Sequence, residues 1–171
     1  MPSLRDWFRR GVNSGLAVWG FHCAMKVRVG RSEDLGAVVA LERSSPTAAH
    51  WPESFYAALF EDGAAERISL VGEEEGELRG FLVARIIGDE CELENAVVAE
   101  SSQRRGLGSK LIRSLIDEVR DRKVARIFLE VRESSLAARA LYLKCGFAIG
   151  GRRASYYTDP REDAVLYTLT L

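Results

Sequence analysis

Between residues 101 and 119 the chain reads SSQRRGLGSKLIRSLIDEV, placing Gln103, Arg104 and Arg105 directly ahead of Gly106, Leu107, Gly108 and Ser109. Glycines let a backbone come close to a ligand. The first-turn N–H groups of a helix lack internal partners and favour an anion. The chemistry this spacing allows is a phosphate cradle made by the amides from Arg104 to Ser109, with two arginines at its rim. The competing reading is an ordinary strand-to-helix loop. Two other phosphate motifs do not fit. A P-loop needs G-x-x-x-x-G-K-[ST], and Gly106-Leu107-Gly108-Ser109-Lys110 has neither the spacing nor the order. A dinucleotide fingerprint needs a small third residue where Leu111 stands, and no early βαβ unit precedes it.

A second group of residues lies in LEVRESSLAARALY (129–142). Leu129 and Val131 share one side of a strand, so Glu130 faces the other. Tyr142 falls in the helix that follows. A carboxylate and a phenol can thus approach one cleft from neighbouring elements. The competing reading makes Glu130 a solvated strand residue and Tyr142 a core aromatic. Cys145, beside Gly146, has no histidine near it in sequence and reads as packing rather than as a nucleophile.

The elements that must position these residues follow from periodicity and breakers. A strand is expected at 26–29. Ser32 can cap a helix with Leu35, Val38, Val39 and Leu41 largely on one face. Pro46 breaks the chain, and Pro52 suits the first turn of a helix PESFYAALF. Strands at 67–71 and 78–87 are joined by the acidic GEEEGE, read as a solvated turn, and a further strand runs over 91–99. Leu107, Leu111, Ile112, Leu115, Ile116 and Val119 mark a helix with one apolar face. The strand at 125–131, reached through that helix, is expected to lie parallel to the one before the loop. SSLAARALYLKCGF gives a helix that Gly146 can end in a left-handed conformation. Strands at 147–150 and 164–171 close the domain, with GRRASYYTDPRED as the loop between them. The order β-α-α-β-β-β-α-β-α-β-β is a mixed α/β sheet.

The totals agree with one soluble domain. The chain has 171 residues, 47% hydrophobic and 29% charged, with a net charge of −1 that excludes a global basic field for nucleic acid. Cys23, Cys91 and Cys145 show no CxxC spacing, and His22 and His50 are far apart. Neither a disulfide framework nor a metal site is expected. A reducing cytoplasm is the expected setting, without a membrane span. Residues 1–24 read as a loosely attached extension or the product of an upstream start, and residues 25–171 as the domain. An amphipathic anchor through Leu4, Trp7 and Phe8 is the alternative for that extension.

A whole-chain likeness rests on LENAVV (93–98), QRRGLGSKLI (103–112), LEVRESSLAARALYLKCGF (129–147), RRASYY (152–157) and REDAVLYTLTL (161–171). In this order and spacing they resemble the GNAT superfamily of acyl-CoA-dependent N-acetyltransferases, and within it the RimI-type ribosomal-protein-alanine N-acetyltransferases. The resemblance implies a GNAT-like fold with a parallel pair of central strands flanked by helices. It implies acetyl-CoA as co-substrate, no metal, and a protein N-terminus as acceptor, such as the alanine of a small-subunit ribosomal protein. Val97, Val98 and Ala99 would meet the pantetheine arm, and Gln103, Arg104, Arg105, Gly106, Leu107, Gly108 and Ser109 the pyrophosphate. Ser135 stands where the family often has an asparagine on the cofactor. Glu130 matches the proton acceptor and Tyr142 the donor, with Glu92 or Glu94 as alternative bases. Trp51, Glu94, Tyr156 and Tyr157 would serve the acceptor. Ala99-Glu100-Ser101-Ser102 departs from the family's Asp-Pro-x-Tyr. A small amine such as a polyamine or aminoglycoside, or a non-catalytic acyl-CoA-binding module, are the competing functions. A monomer or weak dimer is expected.

Overall fold

The structure, a computed structural model, describes residues 25–46, 48–60 and 66–171. The extension at 1–24, with Cys23 and His22, lies outside the described residues. Strand β1 (Lys26–Val29) is followed by helices α1 (Leu35–Ser44) and α2 (Glu53–Leu59). A meander follows of β2 (Arg67–Glu74), β3 (Glu77–Ile87) and β4 (Glu90–Val98). Then come α3 (Leu107–Asp121), β5 (Arg126–Arg132), α4 (Leu136–Lys144), β6 (Ala148–Thr158) and β7 (Arg161–Thr170). The strands form one sheet in the order β1-β2-β3-β4-β5-β7-β6. Every neighbouring pair is antiparallel except β4 and β5, which α3 connects as a crossover. The expected order of elements and the parallel central pair are both present.

Each face of the sheet has its own core. The apolar stripe of α3 is buried along its whole length, against Leu70, Leu82, Leu93, Ile127 and Leu129. Each such side chain contributes about 1.5–3 kcal/mol when fully buried. Gly72 lets α3 sit this close, because a Cβ there would lie 2.7 Å from the Leu107 side chain. On the other face Val38, Val39, Tyr56 and Leu59 of α1 and α2 cover Val71, Phe81, Val83 and Val97. Among the described residues no helix is long and apolar enough to cross a membrane.

Three local readings differ from the expectation. Ser32 does not cap α1; Ser32–Asp34 form a short 3-10 turn and Asp34 precedes the helix. The Asp34 carboxylate accepts the Arg31 N–H at 2.7 Å and two bonds from the Arg28 guanidinium at 2.7 and 2.8 Å. Arg28 also reaches Glu73, so one cation ties β1, the start of α1 and β2. The acidic GEEEGE is not wholly a solvated turn. Glu74 continues the side of β2 that turns Ile68, Leu70 and Gly72 toward α3, and it is 5% exposed. Finally, β6 runs on to Thr158 and pairs with β7 through most of the segment read as a loop. Register shifts after Ile149 and Arg153 break its two-residue alternation and conceal the strand.

Asp34→Ala should lower stability at about pH 7 by about 2 kcal/mol. The Arg28 hydrogen bonds hold the Asp34 carboxyl below its usual range. Its contribution is therefore complete above the unfolded-state pKa and is lost as pH falls through the lower folded-state value. Urea titrations at about pH 7 and about pH 3 check this: the gap between wild type and variant should shrink in acid.

Candidate active site

β4 and β5 share only three register positions, Glu90–Glu92 against Arg126–Phe128. Beyond them β3 stays paired with β4 as far as Val98, and β7 stays paired with β5 as far as Arg132. The two central strands therefore part in mid-sheet. A cleft of about 710 Å³ opens at the parting, walled by Ala96–Val98, by the glycine loop, and by α4 from Ser135 to Tyr142.

A β-bulge sets what β4 shows to this cleft. Val83 pairs with Asn95 and Ala84 with Leu93, leaving Glu94 as the extra residue. Cys91 and Leu93 point into the α3 core, whereas Val97 points into the α1–α2 core. The change of parity turns Val98 back toward the cleft. Asn95 pins the bulge by donating to the Tyr56 hydroxyl at 3.0 Å. Tyr56 in turn hydrogen-bonds Glu42, a carboxylate only 2% exposed.

The loop after β4 has the geometry of an anion site. Gly106 has φ of 102° and caps α3 without any side-chain hydrogen bond to the first turn. A Cβ on Gly106 would meet nothing within 4 Å, so its backbone faces open space. A Cβ on Gly108 would lie 3.0 Å from Leu141, so this glycine lets α3 and α4 approach. Arg104, with φ of 58°, also lines the cleft. The donor set and the open backbone fit a pyrophosphate, and the cleft's largely aliphatic far wall fits a pantetheine arm.

The expected cofactor residues divide. Val97, Val98, Gln103, Arg104, Gly106, Gly108, Ser109 and Ser135 line the cleft. Gln103 uses its side-chain amide to donate to the Val98 carbonyl at 3.1 Å, closing the loop onto β4. Three others lie elsewhere. Ala99 is occupied at the strand end by a bond to Arg79 O at 2.8 Å. The Leu107 side chain is in the core. Arg105 is paired with Glu74 at 2.6 Å.

Tyr142 lines the cleft, while Glu130 sits on the opposite face of the sheet, because Leu129 and Val131 fill the α3-side core. Glu130 pairs with Arg153 at 2.9 Å and hydrogen-bonds Tyr156. Burial and then the neighbouring Glu94 and Glu130 carboxylates push Glu92 up from its ordinary pKa. Glu94 faces Arg67 at 3.3 Å. This face thus concentrates carboxylates, a suitable setting for an incoming amine. Burial raises the Tyr142 phenol well above its usual value, so it stays protonated near neutrality. Burial raises the Tyr157 phenol, and the nearby Arg132 opposes that rise.

Tyr156 and Tyr157 are consecutive yet their ring centroids are 5.1 Å apart. The irregular stretch of β6 after Arg153 allows this, and Asp163 secures it by accepting from Ser155 N at 2.7 Å and Arg152 Nε at 2.8 Å. Arg132 lies 4.1 Å over the Tyr157 ring. Trp51 packs with Phe55 at 4.4 Å and Tyr56 at 5.7 Å, on the α2 side. Burial raises the Cys145 thiol, which fits packing better than nucleophilic attack. Sequence reasoning passed over Glu74, Asp163 and Arg153. Each owes its setting to partners distant in sequence, Glu74 to Ser102 and Arg105, Asp163 to Ser155 and Arg152, and Arg153 to Glu130.

The seven-stranded sheet thus brings a parted parallel pair and a glycine loop at a helix start to one cleft. The sequence model of the acetyltransferase (GNAT) family matches residues 36–147, and the chain belongs to that family. It is an N-acetyltransferase, and acetyltransferases of this family take acetyl-CoA. A Bacillus subtilis (strain 168) protein, provisionally described as a [ribosomal protein bS18]-alanine N-acetyltransferase, is 36% identical over 145 residues, covering 85% of this chain and 95% of its own. The [ribosomal protein bS18]-alanine N-acetyltransferase of Escherichia coli (strain K12) is 42% identical over 100 residues, 57% of this chain and 68% of its own. The crystal structure of the ribosomal-protein-S18-alanine N-acetyltransferase from Escherichia coli superposes with a TM-score of 0.74 at 33% identity, covering 86% of this chain and 94% of that one.

Gly106→Val would force a β-branched residue into a left-handed backbone and place its side chain over the open amides. Coenzyme A affinity measured by calorimetry should fall about tenfold or more. An unchanged dissociation constant would detach this loop from cofactor binding.

Proposed function

We propose that this enzyme acetylates the α-amino group of a protein N-terminus, with the N-terminal alanine of ribosomal protein S18 as acceptor. The 36% identity to a relative described by that activity, over 85% of this chain, carries the choice of acceptor. The carboxylate-lined face beyond the parted strands supports an amine as the nucleophile.

Acetyl-CoA supplies the activated thioester, and the chain's own groups do the rest. An α-amino group has a pKa near ~8 and attacks only after losing a proton. Glu130 accepts that proton, directly or through a water, with Arg153 as the cation it exchanges for the incoming ammonium. Backbone N–H groups of β4 at the parting face the negative charge that develops on the carbonyl oxygen. Tyr142 gives its proton to the departing sulfur, a role that its place on the cleft wall supports. Glu92 is the rival base, since its raised pKa brings it closer to the amine's. Trp51, Tyr156 and Tyr157 supply aromatic surface for the first residues of the peptide.

Acetyl transfer to a panel of peptides with varied first residues, run beside spermidine and an aminoglycoside, tests the acceptor. The S18 N-terminal peptide should lead, and preferential acetylation of a small amine would overturn this reading. Glu130→Gln should lower kcat by about 100-fold while leaving the KM for acetyl-CoA nearly intact. Full turnover in that variant would transfer the base to Glu92 or Glu94. In Tyr142→Phe, CoA release should slow by about 10- to 100-fold, and an unaltered rate would remove it as the acid.

A further inference from the structure

Glu74 ends β2 and touches the glycine loop without lining the cleft. Its carboxylate is 5% exposed and takes two short contacts from the loop. Ser102 Oγ donates to Oε2 at 2.6 Å, and Arg105 Nη2 lies 2.6 Å from Oε1. Ser102 is itself 1% exposed, so the first contact is out of water. These two grips straddle Gln103 and Arg104. Arg104 has φ of 58°, a left-handed backbone that a non-glycine residue holds only when its surroundings impose it. Gly106, with φ of 102°, follows immediately.

The charge arrangement is unusual for an anion site. A buried carboxylate behind the loop opposes an incoming pyrophosphate, and it also engages one of the loop's two adjacent arginines. Charge alone would leave no glutamate here. A negative group is useful at this position if it shapes the backbone that receives the anion. We infer that Glu74 is a positioning residue that presets the Gln103–Gly106 backbone for the pyrophosphate of acetyl-CoA, holding Ser102 and Arg105 as two ends of a clamp. Arg104 remains the loop arginine presented to the cleft. The inference rests on reading the glycine loop as the pyrophosphate site.

The two possible roles of Glu74 predict opposite signs. A clamp makes Glu74→Gln weaken coenzyme A binding by about tenfold, with kcat unchanged at saturating acetyl-CoA. A carboxylate that merely masks Arg105 makes the same variant bind equally or more tightly, because a repelling charge is gone and a cation is released. Calorimetry with coenzyme A, and the KM for acetyl-CoA against kcat, read the sign. Arg105→Ala should weaken binding similarly, and Glu74→Gln/Arg105→Ala should be no worse than either alone, the non-additivity expected of one device. Should Glu74→Gln fail to fold, Ser102→Ala, which keeps the ion pair, carries the test with a loss of about threefold. Inorganic pyrophosphate separates this inference from the reading beneath it. If pyrophosphate does not compete with coenzyme A on the wild-type protein, the loop is not the pyrophosphate site. If it competes but Glu74→Gln and Ser102→Ala bind coenzyme A as well as wild type, the clamp alone is overturned.

Discussion

Two parallel strands that share only three register positions leave backbone polar groups in mid-sheet without ladder partners, and the rest of the molecule is arranged around that gap. The gap stays open because each strand is secured on its outer side, β4 by β3 and β5 by β7. Closing it would break ladders already formed. The unpaired edge of β4 is thus a rigid set of donors and acceptors facing a cleft, which costs least when a ligand with its own amides occupies it. The α3 crossover connects the two strands and delivers the glycine loop to the same end of the sheet.

The parting also solves a problem of access. A buried sheet separates its two faces, yet the proposed acid and base lie on opposite ones: Tyr142 toward the α3–α4 side and Glu130 toward the α1–α2 side. Only where the sheet is open can groups from both faces address the same bond. Electrostatics divide along the same line. The loop side offers backbone amides and Arg104, while the far side holds Glu92, Glu94 and Glu130, with Arg67 paired to Glu94 and Arg153 to Glu130. Under the proposed function a nucleotide thioester and an amine would be received on different faces and meet at the gap.

Irregularities, rather than regular elements, set the finer geometry. The Glu94 bulge changes the parity of β4, so the strand serves the α3 core at one end and the cleft at the other. Asn95 and Tyr56 fasten it to the α1–α2 layer. The displaced register of β6 brings two consecutive tyrosine rings together, held by Asp163. The left-handed backbone at Arg104 belongs to the same pattern, since a non-glycine residue persists there where neighbouring contacts impose it. The fold is shared by proteins with many acceptors, so substrate choice must come from these local features rather than from the architecture.

What the sequence alone determined is the order of elements, the α3 apolar stripe, the parallel central pair and the glycine loop. Each follows from periodicity or a backbone requirement expressed over a few adjacent residues. Tertiary structure decided that Glu74 is buried, that β6 continues through RRASYY, that Asp34 rather than Ser32 organises the entry to α1, and that Arg105 is engaged away from the cleft. It also placed Glu130 and Tyr142 on opposite faces around one opening. The reason is that strand register belongs to pairs of strands. A one-residue shift exchanges inside for outside without altering any local pattern, so only the partner strand can say which way a side chain points.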